Sequence, residues 1–181
     1  MQPEPARAEV YIATSLDGFI ARGDGDIGWL TGHPVPEGED YGYAAFMEGV
    51  GAIVMGRATF DTVRGFADWP YQVPVVVLSR APEAVDVPEA VQGMVRVTAD
   101  SPAAVLAELA AQGVTRVYID GGQVIRTCLA AGLIRRMVIS TIPVLLGAGR
   151  PLWGHGAGDI ALSLAGVRHW PNGVVQSEYR L

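Results

Sequence analysis

Val117-Tyr118-Ile119-Asp120-Gly121-Gly122-Gln123-Val124-Ile125 is the stretch whose reading decides the fold. A β-branched and aromatic run stops at two glycines. Val124, Ile125, Cys128 and Leu129 then recur at helical spacing, so the segment reads as strand, Gly-Gly, helix. Without Cβ atoms the backbone can approach an anion closely, and a helix starting near Gln123 adds unpaired N–H groups and the positive end of its dipole. Such a junction suits a phosphate group. Taken alone, however, Gly121-Gly122 reads first as a tight strand-to-helix turn, so the surrounding segments have to decide.

Two further strand ends point the same way. Residues 51–55 form an apolar run of buried-strand type that passes directly into Gly56-Arg57-Ala58-Thr59-Phe60, the start of a short helix. Residues 73–79 repeat the buried-strand pattern and end at Leu78-Ser79-Arg80. In an open α/β sheet, ligands bind beyond the carboxyl ends of the strands. Arg57 and Arg80 can grip a phosphate bidentately, and Thr59 and Ser79 can donate hydroxyls. Each has a plain alternative: Thr59 as a helix cap, the arginines as solvated surface residues. Together with Gly121-Gly122-Gln123-Val124 they suit a dinucleotide with separated phosphates. There is no G-x-G-x-x-G, so this is not the usual Rossmann fingerprint.

The remaining segments supply the rest of an α/β sheet. Residues 9–15 read as a first strand, followed by the Leu16-Asp17-Gly18 turn and a short apolar return, Phe19-Ile20-Ala21. Residues 22–39 form a long Gly-, Asp- and Pro-rich loop in which Trp29 and Leu30 suggest a lid that packs. A short helix over 40–49, a weaker strand over 93–98, and a helix capped by Ser101 with Pro102 at its first position follow. Residues 135–142 form a further strand. Pro171-Asn172-Gly173, between strand-like residues 159–169 and 174–181, signals a closing hairpin. Early alternation of strands and helices with a closing hairpin predicts an α/β fold with a mixed sheet and helices on both faces.

Composition narrows the function. A chain of 181 residues with 50% hydrophobic content fits one domain over 1–181, residues 1–8 being the expected flexible part. Net charge is −6 without a basic run, which argues against nucleic-acid or anionic-membrane partners. All 13 basic side chains are arginines, so Schiff-base lysine chemistry and a P-loop lysine are excluded. The single Cys128 sits in an apolar helical pattern and reads as core, compatible with a reducing cytoplasm. His33, His155 and His169 lack metal-ligand spacing, so no metal is expected. No apolar run is long enough to cross a bilayer.

In order along the chain, Ser15-Leu16-Asp17-Gly18-Phe19-Ile20-Ala21, Val54-Met55-Gly56-Arg57-Ala58-Thr59-Phe60, Ile119-Asp120-Gly121-Gly122 and Pro143-Val144-Leu145-Leu146-Gly147-Ala148-Gly149 resemble the dihydrofolate reductase superfamily. The branch they resemble is the C-terminal reductase domain of the riboflavin-biosynthesis deaminase-reductase. The resemblance runs from about residue 9 to 181 and implies a three-layer fold with a central mixed sheet of about eight strands. It also implies an NADPH-dependent reductase. By it, Arg57 and Thr59, with Ser79 and Arg80, hold the adenosine 2′-phosphate end; Gly56, Ala58 and Leu78 line the same part of the cofactor site. Residues Gly121, Gly122, Gln123, Val124 and Ile125 take the pyrophosphate, and Ala13 and Ile20 border the nicotinamide. A cis peptide joins the paired glycines of dihydrofolate reductases, so Gly121–Gly122 is a candidate for one.

On the substrate side the chain departs from the folate enzymes, which carry a carboxylate four residues before a helix phenylalanine; here Gly42 lies four before Phe46. Asp40 and Asp17 are the candidate proton donors, with helix capping and turn formation as their structural alternatives. Trp29, Tyr43 and Phe46 are candidates to stack on a planar substrate, or else core. Asp120 reads as structural. The expected activity is hydride transfer to a small pterin- or pyrimidine-like heterocycle or another unsaturated substrate. Two rivals stand beside it: a non-catalytic nucleotide- or pterin-binding protein, and a riboflavin-pathway ribosylaminopyrimidine reductase needing a second phosphate site at Arg22, Arg150 or His155. Related reductase domains are commonly dimers, which makes residues 144–146 and the closing hairpin candidates for a homodimer contact.

Overall fold

Buried apolar runs become the middle of the sheet, and mixed ones its edges. The computed structural model describes residues 6–154 and 158–181. In chain order these form β1 (Arg7–Ser15), β2 (Phe19–Ala21), α1 (Gly28–Thr31), α2 (Tyr43–Met47), β3 (Ala52–Gly56), α3 (Arg57–Val63), β4 (Val75–Leu78), β5 (Val95–Thr98) and α4 (Pro102–Ala111). Then come β6 (Arg116–Asp120), α5 (Gly122–Ala130), β7 (Ile134–Ile142), β8 (Arg150–Pro151), β9 (Ser163–His169) and β10 (Val175–Arg180). The central sheet has eight strands in the order β5-β4-β3-β6-β1-β7-β10-β9. Pairing is parallel from β5 to β7 and antiparallel for the closing β9–β10 hairpin. Ala52 to Met55 of β3 are fully buried, whereas every residue of edge strand β9 is exposed.

Each face of the sheet has its own core. Val105, Leu106 and Leu109 of α4, with Val124, Ile125 and Cys128 of α5, pack on Val10, Val54, Val117 and Ile119. On the opposite face Phe46 of α2 and Phe60 and Val63 of α3 pack on Ile53, Met55, Val77 and Tyr118. Cys128 is a packing residue, as its apolar neighbours suggested. Among the described residues no helix is long and apolar enough to cross a membrane.

Several boundaries differ from the sequence reading. Strand β1 starts at Arg7 and buries Ala6 and Ala8, so residues 6–8 belong to the sheet and its core rather than to a flexible end. Residues 1–5 of that end lie outside the described residues. Helix α2 is five residues long, because Tyr41 (φ 57°) and Gly42 (φ 84°) turn the chain through left-handed conformations that no helix continues. The 22–39 loop contains the one-turn helix α1. The last strand pair begins at Ser163, later than residue 159. Ser101 does cap α4, accepting from the Ala104 N–H at 3.2 Å. Gly173 (φ 88°) makes the hairpin turn.

Candidate active site

Because β3, β4, β5, β6 and β1 run parallel, their carboxyl ends open on one edge of the sheet. A cavity of about 1150 Å³ lies there, larger than the roughly 300–1,000 Å³ that holds one small ligand. The strand-end segments 56–59, 78–80 and 121–124 all line it, and so do Ala13 and Ile20. Of the residues expected to face a cofactor, only Ile125 does not: it is fully buried in the core between α5 and the sheet.

The Gly-Gly junction is built as a cradle. Gly121 has φ 88° and ψ 129°, a conformation open to glycine, and its N–H donates to Asp120 Oδ1 at 2.7 Å. A methyl group on Gly121 would run into the Thr59 hydroxyl. One on Gly122 would meet Ile20 Cδ1 at 2.9 Å, Arg126 NH1 at 3.1 Å and Pro151 O at 3.2 Å. No cis peptide bond occurs among the described residues, which corrects the expectation for Gly121–Gly122; the positive φ of Gly121 makes the sharp turn with a trans bond. Helix α5 therefore starts with its free N–H groups at the cavity wall.

Four arginines line the cavity: Arg57, Arg80, Arg126 and Arg150. Arg57 Nε lies 3.5 Å from Asp61. Arg80 is exposed and has no ion-pair partner among the described residues. Arg126 NH1 donates to Pro151 O at 2.6 Å, which holds the guanidinium beside Gly122. Sequence reasoning passed over Arg126, although its position four residues after Gly122, on the same helix face, was the available signal. Arg150 Nε donates to Gly23 O at 3.3 Å. Arg22 instead pairs with Asp26 at 3.4 Å and does not line the cavity; His155 lies outside the described residues.

The acids are redistributed relative to expectation. Asp17 and Asp40 do not line the cavity. The Ser15 hydroxyl (2.6 Å) and the N–H groups of Gly147 (2.7 Å) and Leu146 (3.1 Å) donate to Asp17 and hold its carboxyl below its ordinary pKa. Asp40 accepts from the N–H groups of Ala44 (2.9 Å) and Gly42 (2.7 Å), which lower its pKa likewise. Both stay ionised at neutral pH and brace backbone, so neither is placed to give up a proton. Asp120 does line the cavity, and burial pushes its pKa up to about 6. Its Oδ1 accepts from the Gly121 N–H, and hydrogen bonding from Gly121 and the Tyr118 side chain offsets part of the rise. Its position before the turn suggested a structural role; strand alternation, which sets it on the same face as Tyr118, was the signal to follow.

The aromatic residues shift in the same way. Tyr11, Phe66, Tyr71 and Tyr118 face the cavity, and the Tyr118 hydroxyl donates to Tyr11 O at 2.9 Å. Phe46 is core, its ring 5.1 Å from Tyr11 and 5.3 Å from Tyr118. Tyr43 stands edge-on to Tyr11 at 5.4 Å, and burial pushes its hydroxyl up to about 12. Phe46 and Tyr43 thus back the cavity wall instead of forming it. Trp29 also lies off the cavity lining, its indole nitrogen buried without a partner among the described residues.

Comparison with known proteins agrees with this geometry. Residues 9–176 match the family described as the RibD C-terminal domain. An uncharacterized Bacillus subtilis protein, YwjB, is 31% identical over 168 residues, 91% of this chain and 92% of the relative. A crystal structure of a putative riboflavin biosynthesis protein from Shewanella sp. PV-4 superposes with a TM-score of 0.88 at 38% identity, covering 96% of this chain and 98% of that one. The Thermotoga maritima diaminohydroxyphosphoribosylaminopyrimidine deaminase/5-amino-6-(5-phosphoribosylamino)uracil reductase shares the fold, with a TM-score of 0.75 at 14% identity over 97% of this chain and 56% of that one. With its dihydrofolate reductase-like three-layer fold and a family match spanning nearly its whole length, the chain belongs to the RibD C-terminal domain family.

Proposed function

We propose that the protein is an NADPH-dependent reductase of a small heterocyclic or otherwise unsaturated substrate. One observation carries this reading: three strand-end segments, Ala13, Ile20 and four arginines converge on one cavity with room for a dinucleotide and a second small molecule. Arg57, Thr59, Ser79 and Arg80 would hold the 2′-phosphate end. Free N–H groups at the start of α5, with Arg126, would hold the pyrophosphate. The cradle at Gly122, which any Cβ would fill, fits a group that needs close backbone approach. Bound there, a reduced nicotinamide supplies the hydride.

The chain's own residues orient and protonate. Tyr11, Tyr71 and Tyr118 shape the apolar end and exclude water, and Asp120, on the cavity wall with a raised pKa, delivers the proton. Asp17 and Asp40 keep structural roles in this account. Cys128, buried and unpaired, suits a reducing cytoplasm. Exposed Leu145, Leu164, Val167 and Val175 support a homodimer formed through the 144–146 segment and the hairpin.

A second reading, a ribosylaminopyrimidine reductase of the riboflavin pathway, draws on Arg150. This cation lines the cavity without a carboxylate partner among the described residues and is available to a substrate phosphate. NADPH oxidation over a panel of heterocycles, including a ribosylaminopyrimidine phosphate, tests both. Turnover that falls by about 10²-fold or more in Asp120→Asn is the expected result. Tight NADPH binding without oxidation by any substrate would leave a non-catalytic binding protein.

A further inference from the structure

The end of the cavity between β4 and β5 carries an exposed acid, Asp100. β4 and β5 run parallel with Leu78 opposite Thr98, and the Ser79 N–H continues the pairing to Thr98 O at 2.9 Å. Two residues further on, Arg80 and Asp100 leave neighbouring strand ends side by side. Both are exposed and both line the cavity, yet no ion pair joins them. The reason lies in Thr98. Its hydroxyl donates to Asp100 Oδ2 at 2.6 Å and accepts from the Asp100 N–H at 3.1 Å, folding the carboxylate back over its own strand. Oδ1 accepts no hydrogen bond among the described residues.

An arginine without an ion-pair partner and a carboxylate with a spare oxygen thus flank the same end of the cavity. They recognise different groups. A guanidinium matches a phosphate, whereas a carboxylate accepts from a ribose hydroxyl and repels a phosphate. Resting on the reductase reading, we propose that Asp100 is a specificity-determining residue that accepts the 2′-hydroxyl of an unphosphorylated dinucleotide. The protein therefore takes NADH as well as NADPH. Arg57 and Arg80 favour the phosphorylated form, and Asp100 limits that preference.

Dissociation constants of NADPH and NADH for the wild type, Asp100→Asn and Arg80→Ala, read from tryptophan fluorescence, test this. Asparagine keeps an acceptor for Thr98 and replaces the spare oxygen with an amide donor, removing both the charge and the acceptor for a 2′-hydroxyl. The wild type should bind both nucleotides. Asp100→Asn should tighten NADPH by about fivefold, the size of one close charge repulsion in a water-rich setting, and weaken NADH. Arg80→Ala should weaken NADPH and leave NADH unchanged. A wild type that binds NADPH alone, or an Asp100→Asn variant that moves both constants equally or not at all, overturns the role of Asp100 while leaving the reductase reading intact. Failure of the wild type to bind either nucleotide overturns both.

Discussion

At Gly121 the backbone conformation and the neighbouring Thr59 side chain both exclude any Cβ. Gly121→Ala should cost on the order of 2 kcal/mol, checked by denaturant unfolding, and should also weaken nucleotide binding by displacing Thr59. Asp120 makes the opposite kind of prediction. Its folded pKa of about 6 lies above the ordinary 3.8, so between those values the native state binds more protons than the unfolded one. Stability therefore falls as pH rises through that window and is lowest above it. Asp120→Asn should stabilise the protein at pH 7 by on the order of 2 kcal/mol while removing turnover, the trade expected where a buried acid is kept for chemistry. In the wild type, kcat/KM should decline above about pH 6 as the proton donor ionises. A flat profile to pH 8 would remove Asp120 from that role.

Between elements, one nearly buried carboxylate ties four strands together. Glu9 of β1 accepts from Arg116 of β6 at 2.8 Å and from Arg136 of β7 at 3.2 Å, and Arg136 binds Glu178 of β10 at 2.8 Å. Arg116 also donates to Phe46 O at 3.1 Å, anchoring the end of α2. Burial works against the charge on Glu9, but Arg116 and then Arg136 outweigh it and hold its pKa below 4.5. Its stabilisation is thus fully present above that value and is lost as pH falls through the lower folded pKa. Glu9→Ala, which leaves Arg116 without a carboxylate and Arg136 with Glu178 alone, should destabilise by about 2 kcal/mol, read from the unfolding midpoint. Ser101→Ala should cost about 1 kcal/mol through the lost cap of α4.

At the scale of the whole molecule, Leu164, Val167 and Val175 are exposed on β9 and β10, and exposed Leu16, Trp153 and Leu162 meet Tyr179 of β10 in a small cavity. The accessible surface, 9967 Å², exceeds the roughly 8,400 Å² usual for a monomer of this mass. The proposed homodimer predicts that the wild type sediments as a dimer and that Leu164→Asp with Val167→Asp yields a folded monomer. The sequence made the sheet legible because strands such as β3 and β4 are uninterrupted apolar runs and because Gly121-Gly122, Ser101-Pro102 and Asn172-Gly173 punctuate their ends. The half of the cavity lined by segments 56–59, 78–80 and 121–124 was legible for the same reason: its residues sit at fixed offsets from strand ends. The other half was not, since Asp120, Tyr71, Arg126 and Arg150 come together only through the order of strands in space. Asp17 and Asp40 drew notice as acids near a turn and a helix, where backbone N–H groups had already claimed them.

The central claim is that this cavity holds a nicotinamide dinucleotide, and the direct measurement is fluorescence titration of the purified protein with NADPH and NADH. Saturable NADPH binding, weakened by about tenfold in Arg57→Ala and in Arg126→Ala, is the outcome the account requires. Absence of binding by either nucleotide would contradict it.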